Sequence, residues 1–402
     1  MTDATSTSAP LAGVVVVDLS RALAGPQATM MLADLGARVI KVESGRGDDS
    51  RHWGPPFVGD DQISTYFLSC NRNKESVTAD LKSDAGVALL EALIAHADVL
   101  VENFRPGVMD RLGFSAERMH QLNPRLVVCS LTGFGHDGPE AQRGGYDQIA
   151  QGEAGLMSMT GEAGAPAKVG VPIGDLLAGM NAAYGVVSAL YERERTGRGR
   201  VVRTSLLASI VGIHAFQGTR YTVAGEVPAG EGNHHPSISP YGLFTTADAS
   251  VQIACGNDDQ WLRLCAVLAL PTADPAFATN SDRVAHRGRV TADIEAVLRT
   301  RPADHWLDLF SAAGVPAGRV RQLDEVYAWE QTRSQGLVVE VDHPSLGRIE
   351  LPGSALRFDD QLHSGGRQQH TPPPLLGEHD LAVRSWLGIT TQGPDPTTKE
   401  TA

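Results

Sequence analysis

Nothing in this chain resembles a run of about 20 apolar residues, the length needed to cross a bilayer, and no membrane association is expected. The first residues also lack the basic start and apolar core of a secretory leader. Only Cys70, Cys129, Cys255 and Cys265 occur in the 402 residues. Their spacing suits neither paired disulfides nor zinc, so they are expected to be reduced core residues of a cytoplasmic protein, with no metal bound. Positive charge is in deficit: the net charge of −13 excludes a general nucleic-acid binder but leaves room for a local basic pocket and an anionic small ligand. No internal repeat is visible, and the turn at Ala24-Gly25-Pro26 after the first strand lacks GxGxxG, which weakens the case for a dinucleotide site there.

What is present is a soluble, globular composition, 42% apolar and 20% charged, long enough for about two domains. Val14 to Leu19 is a β-branched run suited to a strand buried on both faces. A turn at Ala24-Gly25-Pro26, a helix from Gln27 to Leu35 and a strand over Arg38 to Val42 complete a βαβ unit. The alternation continues with a helix from Gly86 to Ala97 and strands at Val99 to Val101 and Arg125 to Leu131. This predicts an α/β, doubly wound, Rossmann-like large domain with its crevice beyond the strand C-termini. The large domain is expected to take residues 11–224 and to be rejoined by 326–387, with strands at Val338 to Val341 and Ile349 to Leu351. A smaller α+β domain, with a hairpin and three helices, is expected over 225–325. Residues 1–10 and 388–402 are expected to be loose tails.

Asp175 is the residue that draws attention. It stands at the mouth of a helix marked by Leu177, Met180, Tyr184, Val187, Leu190 and Tyr191 at helical spacing. It is either the N-cap of that helix or a carboxylate exposed to a cleft as nucleophile or base. Three polar, basic clusters follow neighbouring strands: Arg21 and Ala24 with Lys41, then Asn71, Asn73 and Lys74, then Asn103, Phe104 and Arg105. Together they suggest a pocket for a polyanionic cofactor. Tyr146, beside paired glycines, could polarise a carbonyl. Arg51, His52 and Arg143 could supply a cation for a second carboxylate. His234 and His235 lack a third ligand at metal spacing.

The ordered set Asp18-Leu19-Ser20-Arg21, Ala24-Gly25-Pro26, Ala33 to Ala37, Ile40 to Glu43, Asn71 to Lys74, Glu102 to Gly107, Gly145-Tyr146-Asp147, Gly174-Asp175 and Leu376 to His379 resembles the class III CoA-transferase (CaiB/BaiF) family, across residues 11 to about 385. The resemblance implies coenzyme A or acyl-CoA and carboxylic acids as substrates, and an interlocked homodimer. It also implies Asp175 as the catalytic carboxylate, Tyr146 lining the site, and Asn103, Phe104 and Arg111 against CoA. A glycine loop containing Gly230 and Gly232 would close over the nucleophile, although Glu231 interrupts its glycines. Leu23 and Ser44 stand where formyl-CoA transferase has Gln and Arg, which turns the expectation away from formyl and oxalyl groups. The implied activity is CoA transfer between carboxylic acids, and the Arg51, His52 and Arg143 cations add a dicarboxylate such as succinate as an expected donor or acceptor. Two alternatives stand beside it. A 2-methylacyl-CoA racemase would place a His where Tyr146 stands and would use a carboxylate near Asp258. A non-catalytic CoA-binding protein would need Asp175 only as a cap.

Overall fold

A computed structural model describes residues 9–359 and 365–389, so the expected tails lie almost wholly outside the described residues. The chain divides into two compact units, the smaller comprising Gly155–Val169 and Thr219–Trp329. Residues 155–169, expected in the large domain, belong instead to the smaller unit. The reassigned piece carries a hairpin of two-residue strands, Gly161–Glu162 against Ala165–Pro166, too short to show any periodicity.

The larger unit is built on a six-stranded sheet. Its strands are β1 (Val15–Asp18), β2 (Arg38–Glu43), β3 (Lys74–Thr78), β4 (Val99–Glu102), β5 (Val127–Thr132) and β6 (Val201–Ser205). All pairs are parallel, and the order is β6-β5-β4-β1-β2-β3. That is the doubly wound order, which reverses direction between β1 and β4 and opens a crevice there, beyond the strand C-termini. β1 and β4 are buried apart from the partly exposed Val15, which explains their continuous apolar run. The edge strand β6, with Arg203 exposed, escaped the sequence reading because it is short and half polar.

Helix α1 (Ala24–Asp34) follows β1, and α2 (Asp84–His96) precedes β4. Helix α3 (Asp147–Glu153) and the long α4 (Ile173–Thr196) come after β5. α4 buries Gly174, Ala178, Ala182, Ala183, Val186 and Ala189, its small-residue face, because α1 comes very close. A side chain at Gly179 would lie 2.7 Å from the Ala24 carbonyl oxygen. Most of the apolar row that identified the helix points the other way: Leu190 is buried, but Met180, Tyr184, Val187 and Tyr191 are exposed in the single chain. By length and composition α4 is also apolar enough to cross a membrane, with a mean hydropathy of 1.3, which corrects the reading that no segment qualifies. Its buried Gly/Ala face packed on α1 fits a core helix equally well.

The chain after β6 forms two helices rather than one, α5 (Leu206–Gly212) and α6 (Ala215–Ala224). Ala215 takes a φ of 47° at the break, and the His214 ring meets the Ala154 carbonyl at 2.9 Å. The smaller unit holds an antiparallel sheet of three strands, β7 (Tyr241–Thr245), β8 (Ser250–Ala254) and β9 (Ala317–Arg319). It packs with helices α7 (Asp258–Leu268), α8 (Arg287–Leu298) and α9 (Ala303–Ala313) around Phe244, Trp261, Trp306 and Phe310. In the larger unit, β10 (Val338–His343) and β11 (Gly347–Pro352) pair only with each other and pack on Leu68.

The last described stretch closes the exposed edge of β3. Thr371 exchanges bonds with Asn73, the His379 N–H donates to the Ser76 carbonyl, and Asp380 accepts from the Thr78 N–H and hydroxyl. An unpaired strand edge is a template for unwanted pairing; here helix α10 (Asp380–Trp386) and the segment before it cover it.

Candidate active site

The turn after β1 is held one residue at a time. The Ser20 N–H donates to Asp18, that of Arg21 to the Asn103 side chain at 2.8 Å, and that of Ala22 to Asp48 at 3.1 Å. The Asn103 amide also donates to the Arg21 carbonyl at 2.8 Å. Asn103 therefore staples β1 to the end of β4 across the crevice, its amide occupied at both ends. Gly25 is required here, because a side chain would lie 2.2 Å from Ser20 Cβ. Ala24 is buried at the start of α1.

Four residues expected to meet an anion are instead spent inside the protein, a correction to the sequence reading. Lys74 donates to Asp18 at 3.1 Å, to the Pro26 carbonyl at 2.9 Å and to Asn71 at 2.9 Å. Lys41 donates to the Ser20 carbonyl and pairs with Asp48, both at 2.8 Å. Asn71 donates to the Phe67 carbonyl and Asn73 to Asp34, both at 2.9 Å. All four are buried; they brace the floor of the crevice. Spacing alone shows that a cation follows a strand, but not whether a buried carboxylate waits for it. Of the cations expected against the ligand, Arg21, Arg105 and Arg111 are exposed. Arg21 lies over the Phe104 ring at 5.4 Å, and among the described residues none of the three has an ion pair.

The expected dicarboxylate cations are also occupied. Arg51 makes two bonds of 2.7 Å to Glu43 and lies 3.7 Å over the Phe67 ring. Arg143 pairs with Glu153 and Glu140. His52 contacts the Arg46 carbonyl at 3.0 Å.

Asp175 is not a cap. The N-cap of α4 is Pro172, without a side-chain bond, and Asp175 lies in the first turn. Among the described residues no hydrogen bond or ion pair reaches its half-buried carboxylate. Its neighbour is placed by a second carboxylate: the Gly174 N–H donates to Asp147 at 2.8 Å, and Gln151 donates to the other Asp147 oxygen at 2.7 Å. Asp147 begins α3, directly after the exposed Tyr146. The loop can come this close because Gly145 packs backbone to backbone on Gly133; a side chain on Gly145 would be 2.4 Å from Gly133 Cα.

Burial, and then the charge of Asp147, pushes Asp175 up to about 7. The N-terminus of α4 opposes this by favouring the anion. The result is a carboxylate poised near neutrality with no donor to quench it, as a nucleophile or base requires. Asp147→Asn keeps an acceptor for Gly174 and removes the like charge. The acid limb of the pH–rate profile should then move down by roughly one pH unit, a partial shift because burial remains; an unmoved limb would show that Asp147 does not tune the site.

Tyr66 was overlooked in the sequence. Its phenol is held well above the usual range by burial and then by Asp175, which places the two in one electrostatic neighbourhood. The ring stands edge-on to Trp53 at 5.0 Å. The available signal was a polar-tipped aromatic inside an apolar run just ahead of the Asn71 cluster.

In the smaller unit, Gly230 and Gly232 sit against the 161–166 hairpin. A side chain at Gly230 would lie 2.4 Å from the Gly161 carbonyl, and Gly232 has a φ of +57°. The Gly232 N–H donates to the Gly161 carbonyl at 2.8 Å, so in this arrangement it is not free to donate to a ligand. Arg287 anchors the loop through Glu231 at 2.8 Å and the His235 carbonyl at 2.7 Å. His234 and His235 pack beside Phe244 and Tyr241. Asp258 pairs with buried Arg283 at 2.6 Å, so this carboxylate already has a structural partner.

Comparison with known proteins agrees with this fold. The chain is 40% identical to human succinyl-CoA:glutarate CoA-transferase over 93% of its own length and 85% of that protein. It is 39% identical to the acetyl-CoA:oxalate CoA-transferase of Acetobacter aceti, over 93% and 95%. A crystal structure of a CaiB/BaiF family protein from Brucella suis superposes with a TM-score of 0.83 at 40% identity, covering 94% of this chain and 100% of that one. The model of CoA-transferase family III matches residues 11–380. From the doubly wound sheet to the unquenched carboxylate at the head of α4, this chain belongs to CoA-transferase family III and is a CoA-transferase.

Proposed function

We propose that the protein moves coenzyme A between carboxylic acids through covalent intermediates on Asp175, with a dicarboxylate among its substrates. The observation that carries this reading is the half-buried Asp175 carboxylate, free of cap and ion pair and pushed up to about 7. An Asp175 oxygen attacks the donor thioester carbonyl, the C–S bond breaks, and CoA leaves as a thiolate. The thiolate then attacks the aspartyl carbonyl of the mixed anhydride, releasing the donor acid and leaving an aspartyl-CoA thioester. The acceptor carboxylate attacks that thioester in turn, and the returning thiolate resolves the second anhydride into product and free Asp175. Each anhydride lies uphill of its thioester, so holding the partners in place must supply much of the rate; such proximity offsets roughly 7–11 kcal/mol.

Coenzyme A is proposed to lie across the crevice between β1 and β4, with Phe104 as a wall for its ring and Arg21, Arg105 and Arg111 for its phosphates. A dicarboxylate is supported by the substrates for which the relatives are named, succinyl-CoA with glutarate and acetyl-CoA with oxalate. Oxalate therefore belongs in the substrate panel despite Leu23 and Ser44. Racemisation is disfavoured by Tyr146 in place of a basic His and by the pairing of Asp258 with Arg283.

The test is intact-protein mass spectrometry with succinyl-, glutaryl-, acetyl- and oxalyl-CoA, followed by hydroxylamine. A CoA-sized adduct on the wild type, absent in Asp175→Ala, supports the mechanism, and the fastest-labelling thioester identifies the donor. No adduct, with solvent deuterium entering the α-carbon of a 2-methylacyl-CoA, would replace transfer with racemisation.

The protein is also proposed to act as a homodimer in the cytoplasm. Met180, Tyr184, Val187 and Tyr191 form an exposed apolar row along α4, and such a row on a soluble protein marks a contact surface. Tyr184→Glu with Tyr191→Glu should convert the protein from dimer to monomer in light scattering at micromolar concentration. An unchanged mass would move the interface elsewhere.

A further inference from the structure

The C-terminal ends of β4 and β5 carry a hydrogen-bonded chain that the proposed chemistry does not use. Glu102 and Ser130 are register partners on these adjacent strands, and both are buried. The Ser130 hydroxyl bonds to Glu102 Oε1, while Glu102 Oε2 accepts the Phe104 N–H at 2.8 Å. On the other side, His136 Nε2 meets Ser130 Oγ at 2.7 Å. With Glu102 ionised, the single Ser130 proton goes to the carboxylate, so His136 must donate from Nε2. The order is carboxylate, hydroxyl, imidazole, and the hydroxyl in the middle is not activated as it is in a hydrolase triad.

Glu102 is unusual among the buried carboxylates of this unit. Asp18, Asp34, Glu43 and Asp48 each have a Lys or Arg partner, whereas among the described residues no salt bridge reaches Glu102. Burying a carboxylate with only neutral donors costs stability, and burial, helped by Asp110, raises its pKa. The cation nearest in effect to the chain's other end is Arg203 on β6, which with burial lowers His136 while Asp137 opposes them. The chain also joins two loops that matter. Phe104 belongs to the turn after β4, and His136 belongs to the loop that runs on to Tyr146 and Asp147.

We infer that His136 is a positioning residue for coenzyme A: through Ser130 and Glu102 its ring holds the N–H of Phe104 and so sets the 103–105 turn against the ligand. The inference rests on the reading of that turn as part of the CoA site. His136 touches no substrate; it determines how firmly the Phe104 wall is presented. Its removal should therefore weaken binding and leave the covalent chemistry of Asp175 in place.

The experiment measures the dissociation constant of free coenzyme A by calorimetry on the full-length protein, and kcat with the donor that labels Asp175 fastest. His136→Phe fills the space without a donor, and His136→Gln restores a donor. His136→Phe and Ser130→Ala should each raise the dissociation constant about fivefold, as expected for losing one hydrogen bond within a charged network, with kcat within about twofold of wild type. The double variant should bind no worse than either single one, and His136→Gln should recover to within about twofold. Additive losses, full affinity in His136→Phe, or no advantage of Gln over Phe would overturn the inference; if His136→Phe does not fold, Ser130→Ala with His136→Gln still decides it. Phe104→Ala separates the two readings. If it binds coenzyme A like the wild type, the CoA assignment of the turn fails and the inference with it. If it weakens binding while His136→Phe does not, only the inference fails.

Discussion

Asp175→Ala should lose CoA transfer by about 10⁴-fold or more in kcat/KM, the scale seen when a covalent nucleophile is removed, and should bind coenzyme A nearly as well as the wild type. It should also be the more stable protein at pH 8. The sign follows from the direction of the shift: Asp175 rises from 3.8 to about 7 on folding, so the folded state binds its proton more tightly than the unfolded chain does. The carboxylate is therefore neutral and harmless to stability below about pH 4, becomes a burden as pH rises from there, and imposes its whole cost above about pH 7. Melting curves of wild type and variant should converge at acid pH and separate at pH 8, with the variant higher. The opposite order would mean that Asp175 is satisfied in the native state, and a carboxylate already satisfied is a poor nucleophile. A non-catalytic CoA-binding protein gives a different result altogether, because its only activity would survive the substitution.

Lys74→Met should cause the largest loss of stability among the changes considered. Lys74 is fully buried and offers its three protons to Asp18, Asn71 and the Pro26 carbonyl. Burial alone would raise Asp18, but Lys74 foremost, then Lys41 and the Ser20 and Thr29 hydroxyls, outweigh it and hold Asp18 at about 2. Lys74 itself is pulled down by burial and by the like charge of Lys41; three acceptors within 3.1 Å keep it protonated. Removing it strands a carboxylate beneath the crevice, at a cost of about 3–5 kcal/mol. Because the folded pKa of Asp18 is depressed, its contribution is complete above pH 3.8 and fades as pH falls toward 2. Urea unfolding should therefore show a deficit that is full at pH 7 and narrows in acid. A loss below 1 kcal/mol at pH 7 would show that water reaches and solvates the stranded charge.

Much of the larger unit was legible because its signals are local. A β-branched run such as Val14 to Leu19 has few options other than a doubly covered strand, and successive βαβ units imply a parallel sheet. The α4 helix was equally plain, but the face it buries was not. Its large apolar side chains mark a helix without marking its buried face, and α1 comes so near that small residues make up most of that face. Which face is buried depends on a partner distant in sequence, and periodicity carries no record of it. The site shows the same division. Asp175 could be found by position, yet its lack of a cap bond depends on Pro172 taking that place and on Asp147, 28 residues earlier, occupying the Gly174 N–H. Lys41, Asn71, Asn73 and Lys74 looked like ligand contacts because a sequence shows charges and amides but not the buried groups that neutralise them.

The clasp of Thr371, His379 and Asp380 on β3 bears on how the protein is made. Strand β3 is synthesised about 300 residues ahead of the segment that covers its edge, so that edge stays open on the ribosome until the 371–380 segment has been translated. Contacts so distant in sequence form slowly and leave the growing sheet open to other chains meanwhile. A ribosome arrested before codon 371 should therefore display a larger unit with one reactive edge, and conditions that speed translation relative to chaperone capacity should lower the yield of soluble protein before they lower the activity of the molecules that fold.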